Sequence, residues 1–148
     1  MSYTDLNYHV VFATEGRQNL VTDAIRDRLY DYIGGIVRNL DGRAKAIGGT
    51  ADHVHLLASL HQTTDVSTAV RDIKSNSSTF VNDLDDFRPT FAWQTKYAAF
   101  TVSRSRVSEV VEYIENQREH HRTRSFAEEL VVLLERHDID YDEEYLWE

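Results

Sequence analysis

Ala44-Lys45-Ala46-Ile47-Gly48-Gly49-Thr50-Ala51-Asp52-His53-Val54-His55-Leu56-Leu57-Ala58-Ser59-Leu60 reads as two strands joined by a short turn, with no helix between them. Upstream, residues 3–14 hold Tyr8-His9-Val10-Val11-Phe12-Ala13, rich in β-formers, and run into the turn-like Glu15-Gly16-Arg17. Residues 21–40 carry Ile25, Leu29, Ile33, Ile36, Val37 and Leu40 at helical spacing and stop at Asp41-Gly42. Downstream, residues 65–82 predict a helix with Val66, Ala69, Val70, Ile73 and Phe80 available for burial, 83–89 a loop, and 97–102 a fourth strand. Residues 107–121 and 126–136 add two further helices. Strand, helix, strand, strand, helix, strand predicts an α+β fold of the ferredoxin-like split βαβ (RRM-like) kind. Its antiparallel sheet carries helices on one face and an appended C-terminal helix that holds Tyr113.

The chain has 148 residues, 41% of them hydrophobic, enough for one sizeable core and too few for two ordinary domains. A single domain over 1–148 is expected, with a core of about 1–105 and the tyrosine helix and acidic tail over about 106–148. Cysteine is absent, so disulfides and thiolate metal sites are excluded. No apolar run approaches the roughly 20 residues of a membrane span, and the expected setting is the cytoplasm, with no membrane partner.

The net charge of −9 argues against a general polyanion binder, but it is unevenly placed. From 128 to 148, nine acidic residues face Arg136 alone, a net of −8 that leaves −1 for residues 1–127. Arg104, Arg106, Arg118, Arg122 and Arg124 surround Tyr113 in sequence, and Arg71 and Lys74 lie on the 65–82 helix. These seven are candidate phosphate contacts; each taken singly also fits a solvated surface charge.

Alternation along the strand puts Val54, Leu56, Ala58 and Leu60 on one face and His53 and His55 on the other. The two histidine Cα atoms are then roughly 6.6 Å apart, close enough for both rings to turn onto one cation. Two histidines on a solvated face fit the same spacing. On the 107–121 helix, Val107, Val110, Val111 and Ile114 form a narrow apolar stripe. Tyr113 and Gln117 lie one turn apart on its flank, with Arg106, His120 and Arg124 on the same side. A tyrosine there fits an edge-of-core role as well as a nucleophile helped by a neighbouring cation. A divalent ion held by His53, His55 and Gln117 would act as a Lewis acid on a phosphodiester. That set holds no carboxylate, so it suits Mn²⁺ better than Mg²⁺.

These residues resemble a known family. The chain is similar to the single-tyrosine transposases of the HUH class, in the insertion-sequence-200-like family whose relatives include the REP-associated tyrosine transposases. His53-Val54-His55 matches the His-hydrophobe-His signature, and Tyr113 with Gln117 matches the helical tyrosine and its amide partner. Trp93-Gln94, the 98–103 strand, the 32–38 segment and the C-terminal 141–147 segment extend the resemblance over nearly the whole chain. It implies that Tyr113 attacks a DNA phosphodiester, leaving a 5′-phosphotyrosine link and a free 3′-hydroxyl. It implies Mg²⁺ or Mn²⁺ on His53, His55 and Gln117, and single-stranded DNA with a hairpin at insertion-sequence ends as partner. It also implies a homodimer whose active sites are shared between subunits.

Two other readings fit parts of the pattern. A histidine-triad nucleotide hydrolase would need a third histidine where Leu57 stands. A non-catalytic RRM-like binder would stack bases on Phe12, Tyr97 and Phe100.

Overall fold

A computed structural model describes residues 2–121 and 123–146, apart from the side chain of Tyr145. Four strands, β1 (Asn7–Ala13), β2 (Arg43–Gly49), β3 (His53–Ser59) and β4 (Ala98–Val102), form an antiparallel sheet in the order β2-β3-β1-β4. Helix α1 (Arg26–Asn39) links β1 to β2, and α2 (Val66–Asn82) links β3 to β4. This is the split βαβ arrangement expected from the order of periodicities. The strand bounds fall within a few residues of the expected ones; β1 and α1 start later than the patterns suggested.

One face of the sheet carries the main core. Val10, Phe12, Val54, Leu56 and Ala58 meet Leu29, Ile33 and Val37 of α1 and Ala69, Val70 and Ile73 of α2. Helix α2 starts where the Asp65 carboxylate accepts from the Thr68 N–H, an N-cap that satisfies one of the orphan donors of the first turn. Trp93 packs edge-on against Phe12 and donates its indole N–H to Ser77 Oγ at 2.9 Å, fixing the loop before β4.

The opposite face is covered by the C-terminal helices. α3 (Val107–Glu115) sets Ile114 on Leu57 and Ala46, and α5 (Phe126–Arg136) sets Phe126, Leu133 and Leu134 on Val11, Ala13 and Phe100. Between them lies α4 (Gln117–His120), and α6 (Glu143–Leu146) ends the described chain. The expected continuous 107–121 helix is therefore broken. Asn116 sits at φ −104° and ψ 24°, where its backbone N–H, at 3.2 Å, and its side-chain amide, at 2.8 Å, both donate to the Glu112 carbonyl and close the helix.

Helix α3 can approach this closely because Gly48 lies under it. A Cβ at Gly48 would stand 2.2 Å from the Ile114 carbonyl oxygen. No described helix is long and apolar enough to cross a membrane.

Candidate active site

β3 is an interior strand, so both of its site histidines lie under helices rather than in water. His53 and His55 are completely buried, which removes the solvated-face reading of the pair. His53 Nδ1 stands 2.8 Å from Asp52 Oδ1, and a ring nitrogen facing a carboxylate carries the proton. Burial alone would push the Asp52 carboxyl up, but the hydrogen bonds from His53 and Thr50 win and hold it low. The lone pair of His53 Nε2 is then turned inward, 3.1 Å from Gln117 Oε1. Gln117 cannot flip to relieve this, because its Nε2 donates to Glu129 Oε2 at 3.1 Å. Two acceptors facing each other at hydrogen-bond distance are repulsive unless a proton or a cation stands between them. A cation there would remove the repulsion, and buried nitrogen and oxygen donors of this kind suit a divalent ion.

His55 is held on both sides. Its Nδ1 meets His9 Nε2 at 2.8 Å, and its Nε2 meets Glu129 Oε1 at 2.9 Å. Burial, reinforced by the neighbouring His55, pushes His9 down to about 3. Burial also lowers His55, more than Glu129 raises it.

Glu129 is at the centre of the cluster, with 1% of its surface exposed. Oε1 lies 3.1 Å from His121 Nε2 and 3.6 Å from His53 Nε2, and Oε2 accepts from the Tyr113 hydroxyl. Burial would raise this carboxyl, yet the hydrogen bonds from His121, His55 and Tyr113 hold it well below the usual carboxylate range. Tyr113 moves the other way: burial first, then the Glu129 carboxylate, pushes its hydroxyl well above its usual value. His121 is raised by the same carboxylate despite its partial burial. The His120 ring stacks on Tyr113 at 4.7 Å between centroids.

The structure brings four of the sequence candidates together, namely His53, His55, Tyr113 and Gln117, all within one chain. It also adds three that the sequence reading passed over: His9, His121 and Glu129. One ligand atom from each of His53, His55 and Glu129 lies within 4.8 Å of the others. Glu129 brings a hard oxygen to the cluster, a group that the donor set expected from sequence does not include.

The basic candidates divide. Arg118 and Arg124 line a cleft of about 620 Å³ that reaches Asp52 and His121, and Arg106 lines another of about 580 Å³ that reaches Tyr113 and His9. Arg106 and Arg118 are paired with Glu109 and Asp23, each at 2.7 Å, and Arg104 with Asp5 at 3.0 Å. Arg71 and Lys74 lie on α2, across the sheet from the histidines. Lys74 is turned inward, donating to the carbonyls of Gln94 and Lys96 at 2.7 Å, and burial pushes it down to about 8. Its geometry is that of a clasp on the loop before β4. Arg122 lies outside the described residues, as does Trp147.

A family model described as "Transposase IS200 like" matches residues 2–117. The chain belongs to this family. Among solved structures, this IS200-like transposase is similar to a candidate transposase from Deinococcus radiodurans R1, with 25% identity and a TM-score of 0.61 over 78% of this chain and 93% of that one. It also shares its fold with a REP-associated tyrosine transposase solved bound to a REP hairpin, with 16% identity and a TM-score of 0.62 over 82% of this chain and 72% of that one. No curated protein matches the chain. The matched region stops at Gln117, so the helix that brings Glu129 lies outside it.

Proposed function

We propose that this transposase cleaves and rejoins single-stranded DNA at insertion-sequence ends through a 5′-phosphotyrosine intermediate formed on Tyr113. The observation that carries the reading is the convergence of His53 Nε2 and Gln117 Oε1 at 3.1 Å, beside a tyrosine hydroxyl joined to the same cluster through Glu129. His53, His55 and Gln117 would hold the ion, Mg²⁺ or Mn²⁺, which when bound supplies Lewis-acid stabilisation of the charge that develops on the non-bridging phosphate oxygens.

The remaining work falls to the chain. Attack forms a bond from Tyr113 Oη to phosphorus and breaks the bond from phosphorus to the 3′ oxygen, which takes a proton and becomes the free hydroxyl. Glu129 Oε2 accepts from the Tyr113 hydroxyl and holds it in the cluster, and the proton that Tyr113 gives up balances the one that the 3′ oxygen takes. His120, stacked on the phenol, limits its rotation and keeps Oη directed at the cluster. Rejoining is the reverse step with a different 3′-hydroxyl.

The partner we propose is a single-stranded DNA hairpin, entering along the clefts edged by Arg106, Arg118 and Arg124. A homodimer remains part of the proposal, as the resemblance implies, with the described residues of one chain already holding every group of the set. An RRM-like binder is disfavoured, since Phe12 and Phe100 are buried under helices on opposite faces of the sheet.

The test is covalent trapping. A labelled hairpin oligonucleotide with the wild-type chain and Mn²⁺ should give a DNA adduct stable to denaturation, attached to the peptide that contains Tyr113. Tyr113→Phe should give none while still retarding the hairpin on a native gel. Normal adduct yield from Tyr113→Phe would overturn the assignment.

A further inference from the structure

The buried carboxylate of Glu129 has no place in the ligand set read from the strand and the tyrosine helix. A helix has carried it, between Phe126 and Leu133, into a site where it is 1% exposed. Burying a carboxylate costs several kcal/mol unless it is well partnered. Here four donors surround it, from His55, His121, Gln117 and Tyr113. Two of those donors, His55 and Gln117, belong to the proposed ion site.

The charge of that site points to a use. Two neutral imidazoles and an amide bring no negative charge to a divalent ion in a place screened from water. Electrostatic attraction there is much stronger than in solution, so a single carboxylate at ligand distance makes a large difference. Oε1 of Glu129 is 2.9 Å from His55 Nε2 and 3.6 Å from His53 Nε2, on the side of the cluster where those two rings converge.

Resting on the metal reading above, we propose that Glu129 is a further ligand of the divalent ion, delivered by α5, with Oε1 turned to the ion and Oε2 left to the Tyr113 hydroxyl. Helix α5 is then part of the metal site, although it lies beyond the region matched to the family. The ion, the nucleophile and the C-terminal helix are coupled through one side chain. The added carboxylate also hardens the donor set, so that Mg²⁺ becomes an acceptable occupant beside Mn²⁺.

The experiment is calorimetric titration of Mn²⁺ into the full chain without DNA. Glu129→Gln, which keeps size and one accepting oxygen but removes the charge, should weaken Mn²⁺ at least about tenfold, and Glu129→Ala at least as much. Circular dichroism confirms that each variant is folded. Unchanged or tighter binding by folded Glu129→Gln would overturn the proposal and make the carboxylate a competitor for the ion's place. Independently of any variant, Mn²⁺ should slow backbone hydrogen exchange in α5 of the wild-type chain. Slowing at β3 with none in α5 would also overturn it. His53→Ala separates the two claims: if it leaves Mn²⁺ affinity intact, the metal reading itself fails.

Discussion

Nε2 of His9 lies 2.8 Å from Nδ1 of His55, both rings buried on adjacent interior strands. In the ion-free arrangement His55 Nε2 faces a carboxylate and carries a proton, so its Nδ1 accepts from His9. To ligate an ion through Nε2, His55 must move its proton to Nδ1 and donate to His9 instead. A neutral imidazole serves in either direction, which a carboxylate could not do. His9→Phe should therefore cost roughly 1–3 kcal/mol of stability by leaving a buried nitrogen unpaired. It should also weaken Mn²⁺ about 10- to 100-fold, by loss of the group that orients the ligand. Urea unfolding and calorimetry read the two effects, and His9→Gln should recover part of each.

Acid should destabilise the ion-free protein earlier than carboxylates alone would. His9 is pushed down to about 3 in the fold, against about 6.5 for an ordinary histidine. Between those values the unfolded chain binds a proton that the native chain refuses, so stability falls as pH drops through that window. The slope contributed is up to about 1.4 kcal/mol per pH unit. Glu129, held low, adds stability present above its unfolded value of about 4.3 and lost as pH falls below it. His121, raised, works in the opposite sense, stabilising below about 6.5 and losing this as pH rises through its folded value. Denaturation midpoints from pH 7.5 to 3.5 should fall steadily for wild type and less steeply for His9→Gln between pH 6 and 4. Equal slopes would show that His9 is protonated in the fold.

Gly48→Ala should damage catalysis from a position that touches no substrate. Its Cβ would meet the Ile114 carbonyl at 2.2 Å, so α3 must move off β2, carrying the adjacent Tyr113. Overpacking of this kind costs about 1–3 kcal/mol. A displacement near 1 Å lowers rate on the order of 100-fold. Adduct formation rates read the effect. Gly34→Ala, with nothing within 4 Å of the new methyl, is the control and should be neutral or stabilising.

If each chain builds its own site, with Tyr113 and the histidines around Glu129 as in the single chain described, mixing Tyr113→Phe with a His53→Ala, His55→Ala variant should leave cleavage absent. Activity returning in the mixture would show that α3 or α5 crosses between subunits.

The fold was legible wherever periodicity was strong. Alternation in β3 separated Leu56 from His55, and 3.6-residue spacing marked α1 and α2. His53, His55, Tyr113 and Gln117 were legible as a set because the chemistry of each is distinctive. Glu129 was hidden by its company, one of nine acids in an acidic tail. Yet it stands three residues after Phe126 and four before Leu133, on the apolar stripe of its helix, and a carboxylate on such a stripe was the available signal. His9 was likewise on the inward face with Val11 and Ala13. The pairing of the arginines was not legible, for a simpler reason. Their partners, such as Asp5 for Arg104 and Asp23 for Arg118, are 99 and 95 residues distant, beyond any local pattern.

Helix α5 begins with a capping box, in which the Ser125 hydroxyl accepts from the Glu128 N–H and Glu128 returns a bond to the Ser125 N–H. Both side chains are exposed, and neither touches the cluster. Successive residues of a helix are turned by about 100°, so wherever the first turn is pinned, the azimuth of every later side chain follows. A start shifted by one residue would swing Glu129 away from the histidines and offer Glu128 or Leu130 in its place. A serine on the surface thus acts as the index mark that aims a buried carboxylate.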